Sequence, residues 1–363
     1  MHPQALVVCT IEGSAWFLLP LLHRSGLVMD VVTASPLLRH SQFVRTVHVA
    51  GRDRVADKAV AVANRHRYDW VIVTEDGLLG EIARLPLPLA ERMAVLPLMH
   101  PAGMGHLHSK TGLARAMEGH GIRMPAYAVA HSVEEALEAT GRIGFPVALK
   151  LDASAGGHGT FPCADAGEVR ARAGCFDGRP LLVQQWIQGR KLDVNALFLD
   201  GRLGHVTVAH TQSEVRPLGV GKVRRYLPPC RVDAAMQDEL GRIGRALHAH
   251  GFANVTAIED AQGLRHYFEA DMRPNVWSDH GRFVGNDAAD AIRAWLGGRP
   301  MPPPQGCGAL TEPVEVPHVA RMSAWDLVRH PFRAWKYRPT TDAQLVFLLA
   351  ARRVLPRALR RAA

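Results

Sequence analysis

The stretch GFPVALKLDASAGGHGT, Gly144 to Thr160, contains an apolar run that ends in a lysine and then a cluster of glycines. In a P-loop the lysine follows the glycines, whereas Lys150 precedes Gly156, Gly157 and Gly159 here. The order predicts a strand with a lysine at its end, followed by a flexible glycine hairpin. Taken alone, such glycines mostly mark turns, so the rest of the chain has to decide between a turn and a phosphate site.

The overall composition is that of a globular protein. The chain has 363 residues, of which 47% are hydrophobic and 21% charged, which suits two or three compact units and excludes wholesale disorder. The net charge of +9 favours anionic ligands. Much of the arginine lies near the C-terminus and aromatic residues make up only 6%, so we expect no nucleic acid partner.

The cysteines favour a reducing compartment, and hence a cytoplasmic location. Five cysteines are scattered along the chain without CxxC spacing, which suggests neither a disulfide framework nor a zinc site. No uninterrupted apolar stretch reaches 18 residues, so no transmembrane helix is expected.

Residues 1–108 predict an α/β domain. Apolar runs at 5–11, 27–34 and 69–76 have the character of buried parallel strands, and segments 14–25 and 52–67 between them have helical spacing. This alternation predicts a doubly wound sheet, in which ligands collect at the carboxyl ends of the strands.

Residues 109–313 predict an α+β domain with two lobes that divide near residue 185. Ser109 is a predicted N-cap, and Ser132 with Glu135 forms a capping-box pattern. Further elements are predicted as a helix from 110 that stops at Gly119 or Gly121, helices at 132–144 and 233–250, and strands at 146–151, 181–187, 194–199, 203–208, 254–260 and 264–271. A Pro-rich stretch, 297–313, closes the domain.

Residues 314–363 are predicted to form a basic helical C-terminal extension, and its role has two interpretations. It is an end helix packed on the body with a frayed basic tip, or a basic amphipathic surface that makes weak contact with anionic lipid on the inner membrane face. Pro356 would interrupt a long interfacial helix and so favours packing.

Several motifs occur in a fixed order between Ser109 and Asn275. They are Lys110 at a helix start, GFPVALK ending at Lys150, SAGGHGT (154–160), VQQWIQG (183–189) and EADMRPN (269–275). Together they resemble the ATP-grasp superfamily of carboxylate–amine or carboxylate–thiol ligases. The resemblance implies that a pre-ATP-grasp domain comes first and helps to shape the acceptor site, and that ATP lies between two α+β lobes.

The resemblance also implies which residues bind ATP. Lys110 and Lys150 would contact the phosphates, the hairpin from Ser154 to Thr160 would cover them with backbone N–H groups, and the hinge from Gln184 to Ile187 would hold adenine against Trp186. The implied ATP-binding set is Lys110, Lys150, Ser154, Gly156, Gly157, Gly159, Gln184, Gln185, Trp186, Ile187, Asp193 and Lys222.

Two positions in or beside this set depart from the family pattern. Gln185 stands where glutamate is usual, a mild change because an amide still accepts a hydrogen bond. Lys191 stands where an acid often binds the ribose, and Asp193 lies on the same strand face. Asp193 is therefore either a substitute for that acid or a surface strand residue.

A magnesium site, with Mn²⁺ as an alternative ion, is predicted on the last hairpin. Glu269 and Asp271 alternate along one strand, so both carboxylates face the same way, although Asp271 stands where the family has Asn. Thr256 occupies the place of the family's other acid. Either the site has one ligand fewer, or Glu259 fills it through a difference in register.

Further basic residues are candidates for phosphate contacts. The resemblance implies that Arg273, with Asn275 beside it, supports the transferred phosphoryl group. A basic set at Arg216, Lys222, Arg224 and Arg225 either faces the second substrate or the γ-phosphate, or is a solvated surface.

The function implied is an ATP- and Mg²⁺-dependent ligase. It would convert a small-molecule carboxylate to an acyl-phosphate, which an amine or a thiol then attacks. One alternative is an ATP-binding protein with weakened catalysis, suggested by Thr256 and Lys191. Another is a membrane-peripheral ligase with an envelope or lipid-linked substrate, suggested by the tail. A homodimer and the identity of both substrates are left open.

Overall fold

The computed structural model describes residues 2–154, 159–173, 179–214, 221–301 and 312–317, together with residues 329, 332, 336 and 337. Their packing forms two compact units. One contains the described residues of Met1–Pro97 and Arg273–Gln305 and the four described residues beyond His318; the other contains those of Leu98–Met272 and Gly306–Pro317. The domain boundaries expected at 108 and 313 stay predictions.

The described residues form both strands and helices. The strands are β1 (Gln4–Cys9), β2 (Val28–Thr33), β3 (Val44–Val49), β4 (Trp70–Val73), β5 (Tyr127–Ala130), β6 (Val147–Leu151), β7 (Thr160–Cys163), β8 (Leu181–Gln185), β9 (Arg190–Leu199), β10 (Arg202–Glu214), β11 (Gly221–Tyr226), β12 (Gly251–Glu259), β13 (Arg265–Asp271) and β14 (Val314–Pro317). The helices are α1 (Leu19–Arg24), α2 (Val55–Arg65), α3 (Asp76–Arg84), α4 (Leu89–Met93), α5 (Lys110–Glu118), α6 (Val133–Ile143), α7 (Ala166–Ala173), α8 (Ala234–Ala246) and α9 (Ala288–Leu296).

The first unit contains a parallel sheet in the order β3-β2-β1-β4. The three predicted strands are present, and most of their apolar residues are buried, as expected for a parallel sheet. Strand β3 was not predicted from the sequence because its residues are half-buried or exposed, as on many edge strands. Helix α9 belongs to this unit, where Trp295 packs edge-on against Trp70 with ring centroids 5.6 Å apart.

The second unit begins with α5 and a small antiparallel sheet in the order β5-β8-β6-β7. One face carries Val147, Leu149 and Val183, which join the core beneath α6 and α7. Helix α6 begins as predicted, since the Ser132 side chain accepts a hydrogen bond from the Glu135 N–H. Because side chains alternate along a strand, Lys150 lies on the face away from this core.

The same unit contains a larger antiparallel sheet in the order β13-β12-β9-β10-β11-β14. Val194 and Phe198 lie on the face covered by α8, where Gly244 lets the helix approach closely: a Cβ there would come within 2.4 Å of the Phe198 ring. Asp193 and Asn195 alternate with them and lie on the opposite, polar face. This face is where the predicted metal and nucleotide residues have to meet.

The C-terminal extension begins differently from the prediction. Residues 314–317 form strand β14, which pairs with β11 at the edge of the larger sheet, so the part of the extension that starts at 314 is not helical. Most of the remaining extension lies outside the described residues.

Two features bear on the predicted compartment. Cys9 and Cys163 are buried free thiols, whereas Cys230 is disulfide-bonded, a bond that the cysteine spacing did not predict. None of the helices in the described part of the chain is long and apolar enough to cross a membrane.

Candidate functional site

Lys150 is a buried cation that connects the two sheets of the second unit. Only 8% of its surface is exposed, and its Nζ donates a 2.7 Å hydrogen bond to Gln184 Oε1 on the neighbouring strand. The same Nζ lies 4.5 Å from the centre of the Phe268 ring, which belongs to the larger sheet. Burial lowers the pKa of Lys150 to about 8; nearby Lys110 also lowers it, whereas Glu269 acts in the opposite direction.

The hairpin of β12 and β13, which carries Phe268 and Glu269, contains a β-bulge beside Lys150. Thr256 pairs with Glu269, but the next residue, Ala257, pairs with Tyr267, so Phe268 is the extra residue of the bulge. Lys150 and Glu269 therefore share one environment, and it is built from strand ends of both sheets.

The polar face of the larger sheet contains a row of oxygen-bearing side chains. Glu269 lies opposite Thr256, and Thr256 lies opposite Asp193 on the next strand. Asp271 lies opposite Asn254 in the adjacent row. Directly opposed residues in antiparallel strands project to the same side, so these groups form one surface.

The residues fit a divalent cation that completes its coordination with phosphate. Within the described part of the chain, no group of three or more His, Cys, Asp or Glu side chains is placed to hold a metal ion. Glu269 and Asp271 supply two carboxylates, and Mg²⁺ is commonly bound by one or two carboxylates plus substrate phosphates. Asn254 and Thr256 add neutral oxygens on the same face.

Asp193 forms a buried ion pair with Arg224. It is 4% exposed, so it is not a surface residue, and its Oδ2 accepts a 2.9 Å hydrogen bond from Arg224 Nε and another from the Thr211 hydroxyl. Burial would raise the pKa of Asp193, but Arg224, Lys191 and Thr211 together hold it below its usual range. Arg224, from the predicted basic set, is thus a buried partner of Asp193 rather than part of a solvated surface.

Removal of this charge is expected to destabilise the protein. Replacing Asp193 with Asn removes the carboxylate charge from its buried ion pair with Arg224, so we expect the free energy of unfolding in denaturant to fall by about 3 kcal/mol. The wild-type contribution is present above the unfolded pKa of Asp193 and is lost as the pH falls through the lower folded pKa. Glu138→Gln, which removes an exposed ion pair with Arg142, is the control and should cost less than about 0.5 kcal/mol. A loss under about 1 kcal/mol for Asp193→Asn would contradict the prediction.

Lys110 holds the start of the glycine hairpin. Its Nζ donates hydrogen bonds to the Ser154 backbone oxygen at 2.5 Å and to Ser154 Oγ at 2.9 Å. Ser109 caps α5 as predicted, with its side chain accepting from the Gly112 N–H. Sequence reasoning missed Asp152, whose Oδ1 accepts from the Thr111 N–H at 2.8 Å and so fixes the helix start beside the loop.

Gly159 closes the hairpin, whereas Gly156 and Gly157 lie outside the described residues. Gly159 has φ +73°, and a Cβ there would lie 2.7 Å from Leu151 Cδ1. Its carbonyl accepts a 2.8 Å hydrogen bond from the Leu151 N–H, so the two hairpin ends are paired.

Gly159→Ala should therefore strain the hairpin. We expect a loss of about 1–2 kcal/mol in the free energy of unfolding, because a non-glycine residue is held at positive φ against Leu151. Gly141→Ala in α6 is the matched control: its Cβ would meet nothing within 4 Å, so it should be neutral or slightly stabilising. Equal melting temperatures for the two variants would refute the prediction.

The predicted adenine hinge connects the two sheets. Gln184 is buried and bound to Lys150, whereas Gln185 is exposed, and Trp186 and Ile187 are half-buried. The N–H groups of Gln185 and Trp186 donate to the carbonyls of Ala126 and Pro146, at 2.8 and 3.0 Å. These two N–H groups therefore hold the hinge itself.

Glu259, the third candidate metal ligand, does not lie beside Glu269 and Asp271. Glu259 lies three residues beyond Thr256, opposite Arg265 at the far end of the hairpin, and its carboxylate accepts a 2.7 Å hydrogen bond from Arg190. Of the two alternatives for the predicted metal site, this position of Glu259 favours a site with one protein ligand fewer and disfavours Glu259 as a ligand through a different register.

Arg273 and Asn275 belong to the first unit. Arg273 Nε donates to Asp76 Oδ2 at 2.5 Å. Asn275 Oδ1 accepts from the Trp277 N–H, and the Asn275 N–H donates to Ser278 Oγ. Of the other basic candidates, Arg225 is exposed on β11, Arg216 lies outside the described residues, and the backbone of Lys222 lies in β11.

Comparisons with known proteins concern the fold, and no family model matches the chain. A D-alanine–D-alanine ligase of Pseudomonas fluorescens (strain Pf0-1) is 27% identical over 169 residues, which is 44% of this chain and 51% of that ligase. The chain thus spans about half the length of this curated relative.

Two solved structures share the fold over most of the chain. The N5-carboxyaminoimidazole synthetase from Staphylococcus aureus has a TM-score of 0.67 at 11% identity and matches 93% of this chain and 86% of its own. The biotin carboxylase domain of Hydrogenobacter thermophilus 2-oxoglutarate carboxylase, crystallised with MgADP and bicarbonate, has a TM-score of 0.65 at 17% identity, over 84% of this chain and 72% of its own.

A strand-end lysine and an acidic hairpin on a second sheet are features that the resemblance to the ATP-grasp superfamily implies. With these relatives, the resemblance to the ATP-grasp superfamily is confirmed. The chain has an ATP-grasp-type fold with mixed helix and sheet content.

Proposed function

We propose that this protein is an ATP- and Mg²⁺-dependent ligase that activates a small-molecule carboxylate as an acyl-phosphate for attack by an amine or a thiol. The observation that carries the proposal is Lys150, a buried cation that faces Glu269 and Phe268 from the opposite sheet. Burying the Lys150 cation and placing two carboxylates on one sheet face both cost free energy, and a metal-bound polyphosphate between them would offset both costs.

The two lysines would bind the phosphates. Lys150 offers an ammonium whose hydrogen bond to Gln184 uses one of its three donors. Lys110 holds the Ser154 end of the glycine hairpin. The backbone N–H groups of that hairpin would cover the terminal phosphates. In the reaction a carboxylate oxygen attacks the γ-phosphorus and ADP leaves; the amine then attacks the acyl carbon, phosphate leaves and the amine loses a proton.

Glu269 and Asp271 would hold Mg²⁺, or Mn²⁺ in its place. A bound ion would neutralise charge on the phosphate oxygens during transfer. We retain Arg273 and Asn275 as proposed partners of the phosphoryl group because of their place in the EADMRPN motif. A structural neighbour crystallised with MgADP supports this assignment of cofactors.

A second candidate is a nucleotide-binding protein with weakened catalysis. The observation in its favour is Thr256, which is 1% exposed and lies directly opposite Glu269, so that no carboxylate occupies that place. Both candidates bind ATP, and they differ only in turnover.

Hydroxylamine trapping separates the two. The protein is incubated with ATP, Mg²⁺ and panels of carboxylates, and an acyl-phosphate is captured as its hydroxamate, which also identifies the acid. The proposal expects hydroxamate and ADP that both depend on the carboxylate. Tight ATP binding without ADP release from any carboxylate and amine pair would support the second candidate.

A further inference from the structure

We propose that Phe268 is a positioning residue for Lys150: its ring holds the ammonium where the nucleotide polyphosphate will bind. The inference rests on the proposed nucleotide site. The observation behind it is the 4.5 Å distance from Lys150 Nζ to the centre of the Phe268 ring, made across two different sheets.

The bulge is what makes this contact available. Strict alternation would put adjacent residues on opposite faces of β13, yet Glu269 lies on the polar face and the Phe268 ring also reaches Lys150. An extra residue in a strand re-aims a side chain in this way, and bulges are frequent next to active sites.

The residue before the bulge is held from outside the sheet. The Tyr267 N–H donates to the Arg123 carbonyl at 2.9 Å, and the buried Tyr267 hydroxyl donates to Glu239 Oε2 at 2.7 Å. Arg265 Nε binds the same Glu239 oxygen at 2.7 Å. These bonds fix the register, so Phe268 cannot slip to a regular position.

An aromatic ring suits this role better than a carboxylate or an aliphatic chain. The charged groups near Lys150 are Glu269 on β13 and Lys110 on α5, and its direct hydrogen-bond partner is Gln184. The ring face attracts a cation and accepts no strong hydrogen bond that phosphate would have to displace. A carboxylate in its place would repel the incoming phosphate, and leucine would fill the space without attracting the ammonium.

Two variants and two probes test the inference. Phe268→Leu removes the ring, and Phe268→Trp keeps an aromatic face. The probes are the non-hydrolysable analogue adenylyl imidodiphosphate and inorganic tripolyphosphate, which has no base. We expect Phe268→Leu to weaken binding of both probes about 3- to 10-fold and Phe268→Trp to stay within about twofold of wild type. In a Lys150→Met background, Phe268→Leu should have no further effect on tripolyphosphate.

The opposite pattern overturns the inference. If Phe268→Leu weakens only the adenine nucleotide, the ring contacts the base. If it acts equally with and without Lys150, the ring affects binding independently of the lysine. Either result means that Phe268 does not position Lys150. A double-mutant cycle of Lys150→Met and Phe268→Leu on unfolding of the ligand-free protein measures the contact even if the wild type binds neither probe. If the wild type binds neither probe, the proposed function is wrong. If the two substitutions have additive effects on the free energy of unfolding, the inference about Phe268 is wrong.

Discussion

Lys150→Met is expected to weaken nucleotide binding about 100-fold, because it removes a desolvated cation from the proposed phosphate site and leaves a side chain of similar length. The measurement is calorimetric titration with adenylyl imidodiphosphate and Mg²⁺ at pH 7. Lys58→Met, at an exposed lysine of α2 in the first unit, is the matched control and should leave the affinity unchanged. Unchanged affinity in Lys150→Met would exclude the site.

The same substitution should stabilise the nucleotide-free protein. Burial moves the pKa of Lys150 from its ordinary 10.5 to about 8, a difference worth about 3 kcal/mol at 1.36 kcal/mol per pKa unit. Losing the bond to Gln184 offsets part of this, so we expect a net gain of about 2 kcal/mol in the free energy of unfolding at pH 7. A variant that binds nucleotide worse yet melts higher distinguishes a functional lysine from a structural one.

The buried Lys150 makes the free energy of unfolding depend on pH. Between about pH 8 and 10.5 the unfolded chain binds more protons at Lys150 than the folded protein, so wild-type stability rises with pH through this window. The advantage of Lys150→Met should therefore shrink above about pH 8 and disappear near pH 10.5. Nucleotide affinity of the wild type should fall as pH rises above about 8, because the neutral lysine must first take up a proton.

Glu269→Gln should abolish the effect of Mg²⁺ on the nucleotide site. The amide keeps the size of the side chain but removes the charge that a hard cation requires, so we expect turnover to fall about 10³-fold or more. Without Mg²⁺, nucleotide binding should be unchanged or slightly tighter, because a negative charge near the phosphates is gone. Titration of the nucleotide analogue with and without Mg²⁺ reads out the metal independently of turnover.

Glu259→Gln is the matched control for Glu269→Gln, because it makes the same chemical change at the other candidate metal ligand. Glu259 was the alternative metal ligand, and in the structure its carboxylate is paired with Arg190. This variant should keep the full Mg²⁺ effect. If Glu259→Gln loses that effect and Glu269→Gln retains it, the assignment of the metal site to Glu269 and Asp271 is wrong.

Much of the fold follows from local sequence patterns. The Ser109 and Ser132 caps, the parallel strands of the first unit and the hairpin around residue 260 were all predicted, because capping and hydrophobic period act over a few neighbouring residues. Strand β14 was missed because an edge strand of four residues carries little periodic signal.

The site was only partly predictable. The ordered motifs placed Lys150 and Glu269 among the candidates, but two neighbours of these residues carried no local signal. Phe268 reads as an ordinary apolar strand residue, and only the bulge turns it toward Lys150. Asp193 was interpreted as a ribose ligand or a surface residue, yet its carboxylate is bound to Arg224, 31 residues away along the chain.

Most of the element order, the Ser109 and Ser132 helix caps and the chemical types at the site follow from local patterns, since these depend on residues a few positions apart. The tertiary structure alone decided the protonation tendency of Lys150, the pairing of Asp193 and the separation of Glu259 from Glu269. Each of these depends on strand register and on the loss of water around a charge, and both are set by contacts between residues distant in the chain.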